Sequence, residues 1–116
     1  MNDKVFKMKF ADIYSLYLQK VMRKGRTQDE LDTVIMWLTG YDEQGLQSQI
    51  DGGTTLEEFF AAAPQINPNS HLIIGVICGI RVENIEDSLM KKIRQMDKLV
   101  DELAKGKTLD KILRED

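Results

Sequence analysis

Few side chains of this 116-residue chain could do covalent chemistry, and most of them lie between residues 67 and 82. This segment reads NPNSHLIIGVICGIRV and contains the one cysteine, Cys78, and the one histidine, His71, next to Ser70. A nucleophilic cysteine needs a stabilised thiolate, whereas Cys78 lies in an apolar run, so the sequence predicts an inert buried thiol. Ser70 lacks the strand–turn–helix context of a GxSxG nucleophile. The sequence therefore favours a chain that is not an enzyme.

Motifs for metals and phosphates are incomplete. One His and one Cys do not make a zinc ligand set, and Glu83 and Asp87, four residues apart, would hold a hard cation only weakly. Residues 106–108, GKT, resemble the end of a phosphate-binding loop, but the first glycine of GxxxxGK[ST] would fall at Asp101. The sequence therefore predicts no metal site and no cofactor.

Four polar residues at the two ends of the same segment are candidates for a ligand pocket: Asn67, Asn69, His71 and Arg81. The guanidinium of Arg81 could bind an anion or pair with a nearby acid. One alternative function is therefore a small-molecule binder or enzyme built around His71 and Arg81.

The charges are arranged in blocks, although the net charge is only −3. Residues 1–26 carry seven Lys and Arg, whereas residues 27–66 carry eight acids and no Lys or Arg. A second alternative function is a nucleic-acid-associated accessory protein that uses residues 4–26, where aromatic residues among the cations could stack on bases. The candidate basic surface comprises Lys7, Lys9, Lys20, Arg23, Lys24 and Arg26. A pI of 5.2 argues against nucleic acid as the partner.

The central segment also decides the predicted architecture. Residues 72–82 form an apolar run of eleven residues, which is longer than the usual strand, and Asn67 with Pro68 suits a helix start. We therefore predict a buried helix in which Gly75 and Gly79 lie one turn apart and admit a close neighbour. The alternative is a strand, because Ile and Val dominate the run.

Helical spacing and capping signals recur on both sides of this segment. Residues 4–10 alternate apolar and basic side chains, as in a short strand or extended arm. Thr27 and Glu30 have the spacing of a capping box, and Gly25, Gly40 and Gly106 follow predicted helix ends. The predicted helices cover residues 11–24, 28–38, 43–50 and 88–105, and a short last helix starts at Thr108. A further short helix, opened by Thr54 or Thr55 and followed by Pro64, carries the apolar residues Leu56, Phe59 and Phe60.

These patterns together predict a compact, all-α single domain over residues 1–116. Six or seven helices would surround the buried glycine-bearing central helix, with residues 1–10 as an extended arm or short strand and residues 11–114 as the helical core. The alternative is an α+β fold with paired strands near residues 5–10 and 72–82.

Four phrases of the chain resemble a small family of uncharacterised bacterial proteins, a domain of unknown function. They are KGRTQDELDTVIMWLTGY (24–41), FFAAAPQINPN (59–69), GVICGIRVENIED (75–87) and DKLVDELAKGKTLDKIL (97–113). Members of that family often carry proline at the position of Ser88, which implies a helix that begins just after Asp87. The resemblance implies no activity.

The sequence favours a non-catalytic cytoplasmic interaction module whose partner is a second copy of itself or another protein. The N-terminus lacks the apolar core of a signal peptide, and the central apolar run is shorter than the roughly 20 residues of a membrane span. We therefore expect a cytoplasmic location and no contact with a membrane.

Overall fold

The structure, a computed structural model, describes residues 3–115. Within these residues seven α-helices are α1 (Asp3–Phe6), α2 (Phe10–Arg23), α3 (Gln28–Thr39), α4 (Glu43–Asp51), α5 (Leu56–Ala61), α6 (Ser88–Ala104) and α7 (Leu109–Ile112). Two 3₁₀ helices, Pro68–Leu72 and Val82–Asn84, flank a hairpin of β1 (Val76–Ile77) and β2 (Ile80–Arg81). The prediction of a compact all-α domain is confirmed. No helix in the described part of the chain has the length and apolar character needed to cross a bilayer.

Helix α6 is the element against which most of the others pack. It contacts α2, α3, α5, α7 and β1, because its apolar residues recur at three- and four-residue spacing and make one continuous face. The buried apolar residues of that face are Met90, Ile93, Met96, Leu99, Val100 and Leu103. The centre of the domain is therefore the amphipathic helix near the C-terminus.

Residues 9 and 10, at the start of α2, contact α5 and the residue before it. The rings of Phe10 and Phe59 stack with centroids 3.9 Å apart, and both side chains are fully buried. Lys9 forms an isolated antiparallel bridge with Thr55. The predicted extended arm is wrong for residues 3–6, which form one turn of helix, and residues 1–2 lie outside the described part.

The prediction of a buried helix over residues 72–82 is wrong. Val76 pairs with Arg81 and Ile77 with Ile80, which leaves Cys78 and Gly79 as a two-residue hairpin loop. Both loop residues have positive φ, 53° and 76°, as a type I′ turn requires and as a right-handed helix forbids. The apolar run is long because it contains two short strands and their turn. The strand alternative places a sheet in this segment, but its partner is not residues 5–10.

The hairpin lies on α6 through one apolar side chain and one lysine. Ile77 packs against the core, and the Lys98 ammonium donates to the carbonyl of Val76 at 3.2 Å. Val76 and Ile80 remain 49% and 45% exposed, and Cys78 is exposed as well. The predicted burial of the Cys78 thiol is therefore also wrong.

Below about pH 4.5 we expect the domain to lose stability through Glu30. The Arg26 guanidinium (2.7 Å) and the backbone N–H of Thr27 (3.0 Å) bind its carboxylate and lower the pKa of Glu30 from 4.5 to about 2. A pKa lowered by folding contributes stability that is complete above the unfolded-state pKa and disappears as the pH falls through the folded-state pKa. The loss should therefore occur between about pH 4.5 and pH 2, and amount to about 1 kcal/mol or less because solvent screens the pair.

Glu30→Gln tests this expectation, because glutamine retains the capping box but removes the charge. Urea unfolding from pH 5.5 to pH 2.5 should show a shallower decline of the unfolding free energy for this variant than for the parent. Glu58→Gln is the control, since Glu58 closes the same kind of box with Thr55 and makes no ion pair among residues 3–115. Burial raises the pKa of Asp32, so this group changes the unfolding free energy with pH in the opposite direction. The parent and both variants contain Asp32, so its contribution is common to all three. Equal slopes for the two variants would contradict the assignment.

Candidate functional site

An apolar cleft of about 240 Å³ opens between the N-terminal segment, α2 and α6. Its apolar wall consists of Val5, Met8, Ile13, Leu16, Leu56 and Ile93. Helix α2 contributes Ile13, Leu16 and Tyr17 at helical spacing. Tyr17 is buried and Ile13 is partly buried against the core, whereas Leu16 is 59% exposed, and Met8, which precedes α2, is 41% exposed. The cleft therefore leaves part of the apolar side of α2 in contact with solvent.

Three polar groups line the same cleft, namely Tyr17, Arg94 and Asp97. The Tyr17 hydroxyl donates to the Asp97 carboxylate, which also accepts from the Arg94 guanidinium at 2.8 Å. Burial, and then the charge of Asp97, raises the pKa of Tyr17 well above its ordinary value. The phenol therefore keeps its proton at neutral pH, and Arg94 compensates the charge of Asp97. This arrangement is suited to structural support, because the hydroxyl, the carboxylate and the guanidinium bond to one another within the fold.

Arg94 also joins the cleft to the hairpin. Its Nη1 lies 3.7 Å from the Cys78 Sγ, so the turn of the hairpin borders the cleft. We define the hairpin face as the cleft together with Val76, Cys78 and Ile80. Val76 and Ile80 lie on opposite faces of the hairpin, because Val76 pairs with Arg81 and Ile80 pairs with Ile77, and both are about half exposed. The hairpin is thus an apolar knob beside an apolar cleft.

The four residues predicted as a polar pocket have separate surroundings. The Asn67 Nδ2 donates to the Trp37 carbonyl at 3.2 Å, and its Oδ1 accepts from the Asn69 N–H at 2.8 Å. The His71 Nδ1 lies 2.8 Å from the Pro68 carbonyl. His71 lines a cavity with residues of α6 that does not include Asn67, Asn69 or Arg81.

Asn69 and Arg81 also have local partners. The Asn69 Nδ2 donates to the Arg114 carbonyl at 3.2 Å, and Arg81 is exposed on β2 with Glu83 at 3.4 Å. The structure therefore does not bring the four predicted residues together in one pocket.

Two of the six residues of the predicted basic surface have internal partners. Arg26 donates to the carbonyls of Leu103 (3.0 Å) and Lys107 (2.8 Å) and pairs with Glu30. Lys20 lies 3.3 Å from Asp101. The exposed members are Lys7, Lys9, Lys20, Arg23 and Lys24, and only Arg26 is partly buried. Arg26 therefore connects the start of α3 to the end of α6.

The polar group at the cleft was not predicted from the sequence. Arg94 and Asp97 are three residues apart on α6, a spacing that brings side chains together, but Tyr17 is 80 residues away from Asp97. In residues 3–115 no group of three or more His, Cys, Asp and Glu side chains is placed to hold a metal ion.

Comparison with known proteins assigns the family of this chain. Residues 4–114 match the family described as an uncharacterized protein conserved in bacteria, DUF2200. The chain belongs to this family. DUF2200 is a domain of unknown function, so membership carries no activity.

A solved structure supports the same fold for this DUF2200 member. The crystal structure of uncharacterized protein SP1917 is 44% identical in sequence and has a TM-score of 0.92, over 97% of this chain and 93% of that one. No curated protein matches the chain. The similarity extends over nearly the whole chain and brings no function with it.

Proposed function

We propose that this chain is a non-catalytic interaction module that pairs with a second copy of itself through the hairpin face. The observation that carries the proposal is the apolar knob formed by Val76 and Ile80 beside an apolar cleft with exposed Met8 and Leu16. Exposed apolar side chains next to an apolar cleft are typical of association sites.

The geometry supports a twofold-symmetric pair. In such a pair both copies use the same surface. The apolar hairpin of one copy can then be buried only if that surface also contains a cavity that accepts the hairpin of the other copy. The hairpin and the cleft meet at Arg94, so that a rotation axis near this residue would set each hairpin on the cleft of the other copy. Each burial would remove apolar side chains from water at about 25 cal/mol per Å².

The polar lining of the cleft is compatible with burial. An unpaired charge at an interface costs several kcal/mol, but Asp97 already accepts from Arg94 and from Tyr17. The free Cys78 is exposed on the same face, and a reducing compartment would keep its thiol free of disulfides. A cytoplasmic location is therefore part of the proposal.

Mass measurement by size-exclusion chromatography with light scattering tests the proposal directly. We expect a species of about twice 13.3 kDa that dissociates on dilution. Leu16→Glu and Ile80→Glu should each raise the dissociation constant at least about 30-fold, because each substitution acts twice in a symmetric pair.

Met22→Glu is the matched control, since Met22 lies on the same helix as Leu16 with nearly the same exposure, 58% against 59%, but does not line the cleft. It should leave the dissociation constant unchanged. Circular dichroism would verify that all variants fold. A parent protein of monomer mass at millimolar concentration, or an equal effect of Met22→Glu, would refute the hairpin face as the interface.

A further inference from the structure

A second cavity, of about 330 Å³, lies between the 3₁₀ helix Pro68–Leu72 and the first half of α6. Helix α6 contributes Ser88, Lys91, Lys92 and Gln95 to its lining, at the spacing that places four side chains on one helical face. Most apolar residues of this helix lie on its other sides and pack in the core. The cavity is therefore lined by the polar face of α6 where the 3₁₀ helix covers it.

A buried hydrogen bond holds the two walls of this cavity together. Gln95 is only 4% exposed, and its Nε2 donates to the Ser70 carbonyl at 3.2 Å. The next residue, His71, lines the cavity, and its Nδ1 lies 2.8 Å from the Pro68 carbonyl. The polar groups that face the cavity are thus held by contacts within the fold.

The two lysines of this cavity have no acidic partner. Neither Lys91 nor Lys92 makes an ion pair with any acid of residues 3–115, and this includes Glu86, which also lines the cavity. The spacing of Asp87 and Lys91 predicts an ion pair, but the Asp87 carboxylate instead accepts from the Met90 N–H at 2.8 Å and caps α6. Two ammonium groups therefore share one cavity with a single carboxylate, that of Glu86, and neither is in direct contact with it.

A second lysine-rich cavity, of about 460 Å³ near the end of α6, differs on this point. There Lys105 pairs with Asp101 at 3.0 Å and Lys107 with Glu102 at 3.5 Å. Lys98 and Lys111 also line that cavity and make no ion pair in residues 3–115. Two of its four lysines are therefore paired with an acid, whereas neither lysine of the cavity at the start of α6 is.

We infer that the cavity at the start of α6 binds a phosphorylated small molecule. Lys91 and Lys92 would supply charge-assisted hydrogen bonds to the phosphate oxygens, and the hydroxyl groups of Ser70 and Ser88 would supply neutral ones. The remaining walls, Ile66 and Ile85, would contact the carbon skeleton, and the volume is that of a small-ligand pocket.

The test is to titrate the full chain with inorganic phosphate and, separately, with glycerol phosphate. Amide chemical shifts in NMR spectra report the binding. We expect saturable shifts centred on residues 70–71 and 86–95, with glycerol phosphate binding more tightly than inorganic phosphate. Lys91→Gln with Lys92→Gln should weaken binding at least about tenfold, since each charge-assisted hydrogen bond contributes that order of affinity.

Lys105→Gln with Lys107→Gln is the control, because it removes the same charge from the other lysine-rich cavity. This variant should bind glycerol phosphate as the parent does. Unsaturable shifts, shifts at both cavities alike, or equal weakening by the two double variants would overturn the inference and indicate general attraction of phosphate to lysine. The outcome does not depend on the mass of the protein in solution, so it separates this inference from the proposed pairing.

Discussion

Replacing Gly40 with alanine is expected to lower the free energy of unfolding by about 3–5 kcal/mol. Gly40 ends α3 with a φ of +81°. A Cβ on this residue would lie 2.7 Å from the Gln65 carbonyl oxygen and 2.8 Å from its nitrogen. The Gln65 backbone has little freedom to withdraw, because its N–H donates to the Thr39 carbonyl at 3.1 Å. The substitution therefore combines an unfavourable φ with a clash between two backbone segments.

Gly25→Ala separates these two causes. Gly25 has a φ of +80°, but a Cβ there would meet nothing within 4 Å, so that only the conformational cost of about 1–2 kcal/mol remains. Urea unfolding followed by circular dichroism gives both values. If Gly40→Ala lowers the free energy of unfolding no more than Gly25→Ala does, the clash with the Gln65 backbone does not contribute to the loss.

Replacing Glu102 with alanine is expected to cost about 2–4 kcal/mol. Both carboxylate oxygens accept from the Arg114 guanidinium, at 2.8 Å and 2.6 Å, and the two side chains are only 8% and 14% exposed. The Arg114 Nε also donates to the Leu72 carbonyl at 3.1 Å. Without Glu102 a largely buried guanidinium would have no carboxylate partner, so the contact between the C-terminal segment and the 3₁₀ helix Pro68–Leu72 should weaken.

A double-mutant cycle measures the pair itself. Glu102→Ala, Arg114→Ala and the double variant should give a coupling energy above about 1 kcal/mol. Lys105→Ala is the comparison, because Lys105 is mostly exposed in its ion pair with Asp101 and should cost less than about 1 kcal/mol. A coupling energy near zero would mean that the Glu102–Arg114 contact is incidental to stability.

Much of the helical architecture could be predicted because its signals are local. Helices α2 to α6 begin and end within a few residues of their predicted limits. The capping box of Thr27 and Glu30 is confirmed, as is the start of α6 just after Asp87. These interactions join residues three or four apart, so the sequence alone contains both partners.

The hairpin is where the same reasoning failed. An apolar run of Ile and Val is compatible with a helix or with strands, and the length of the run favoured the helix. The useful signal was Cys78 followed by Gly79 between β-branched residues, the spacing of a two-residue hairpin loop. The same four-residue spacing has two outcomes here: Asp101 pairs with Lys105, whereas Asp87 does not pair with Lys91, because a backbone N–H binds the Asp87 carboxylate instead.

The sequence by itself determined an all-α class, the limits of most helices and membership in a bacterial family, since helical spacing, capping and resemblance are all properties of neighbouring residues along the chain. Only the tertiary structure decided that Ile77 packs against the core while Val76 and Ile80 stay about half exposed. It also brought Tyr17 to Asp97 across 80 residues. These outcomes depend on which surfaces of α6 the rest of the chain covers. Such contacts join residues far apart in the chain, so no local spacing in the sequence predicts them.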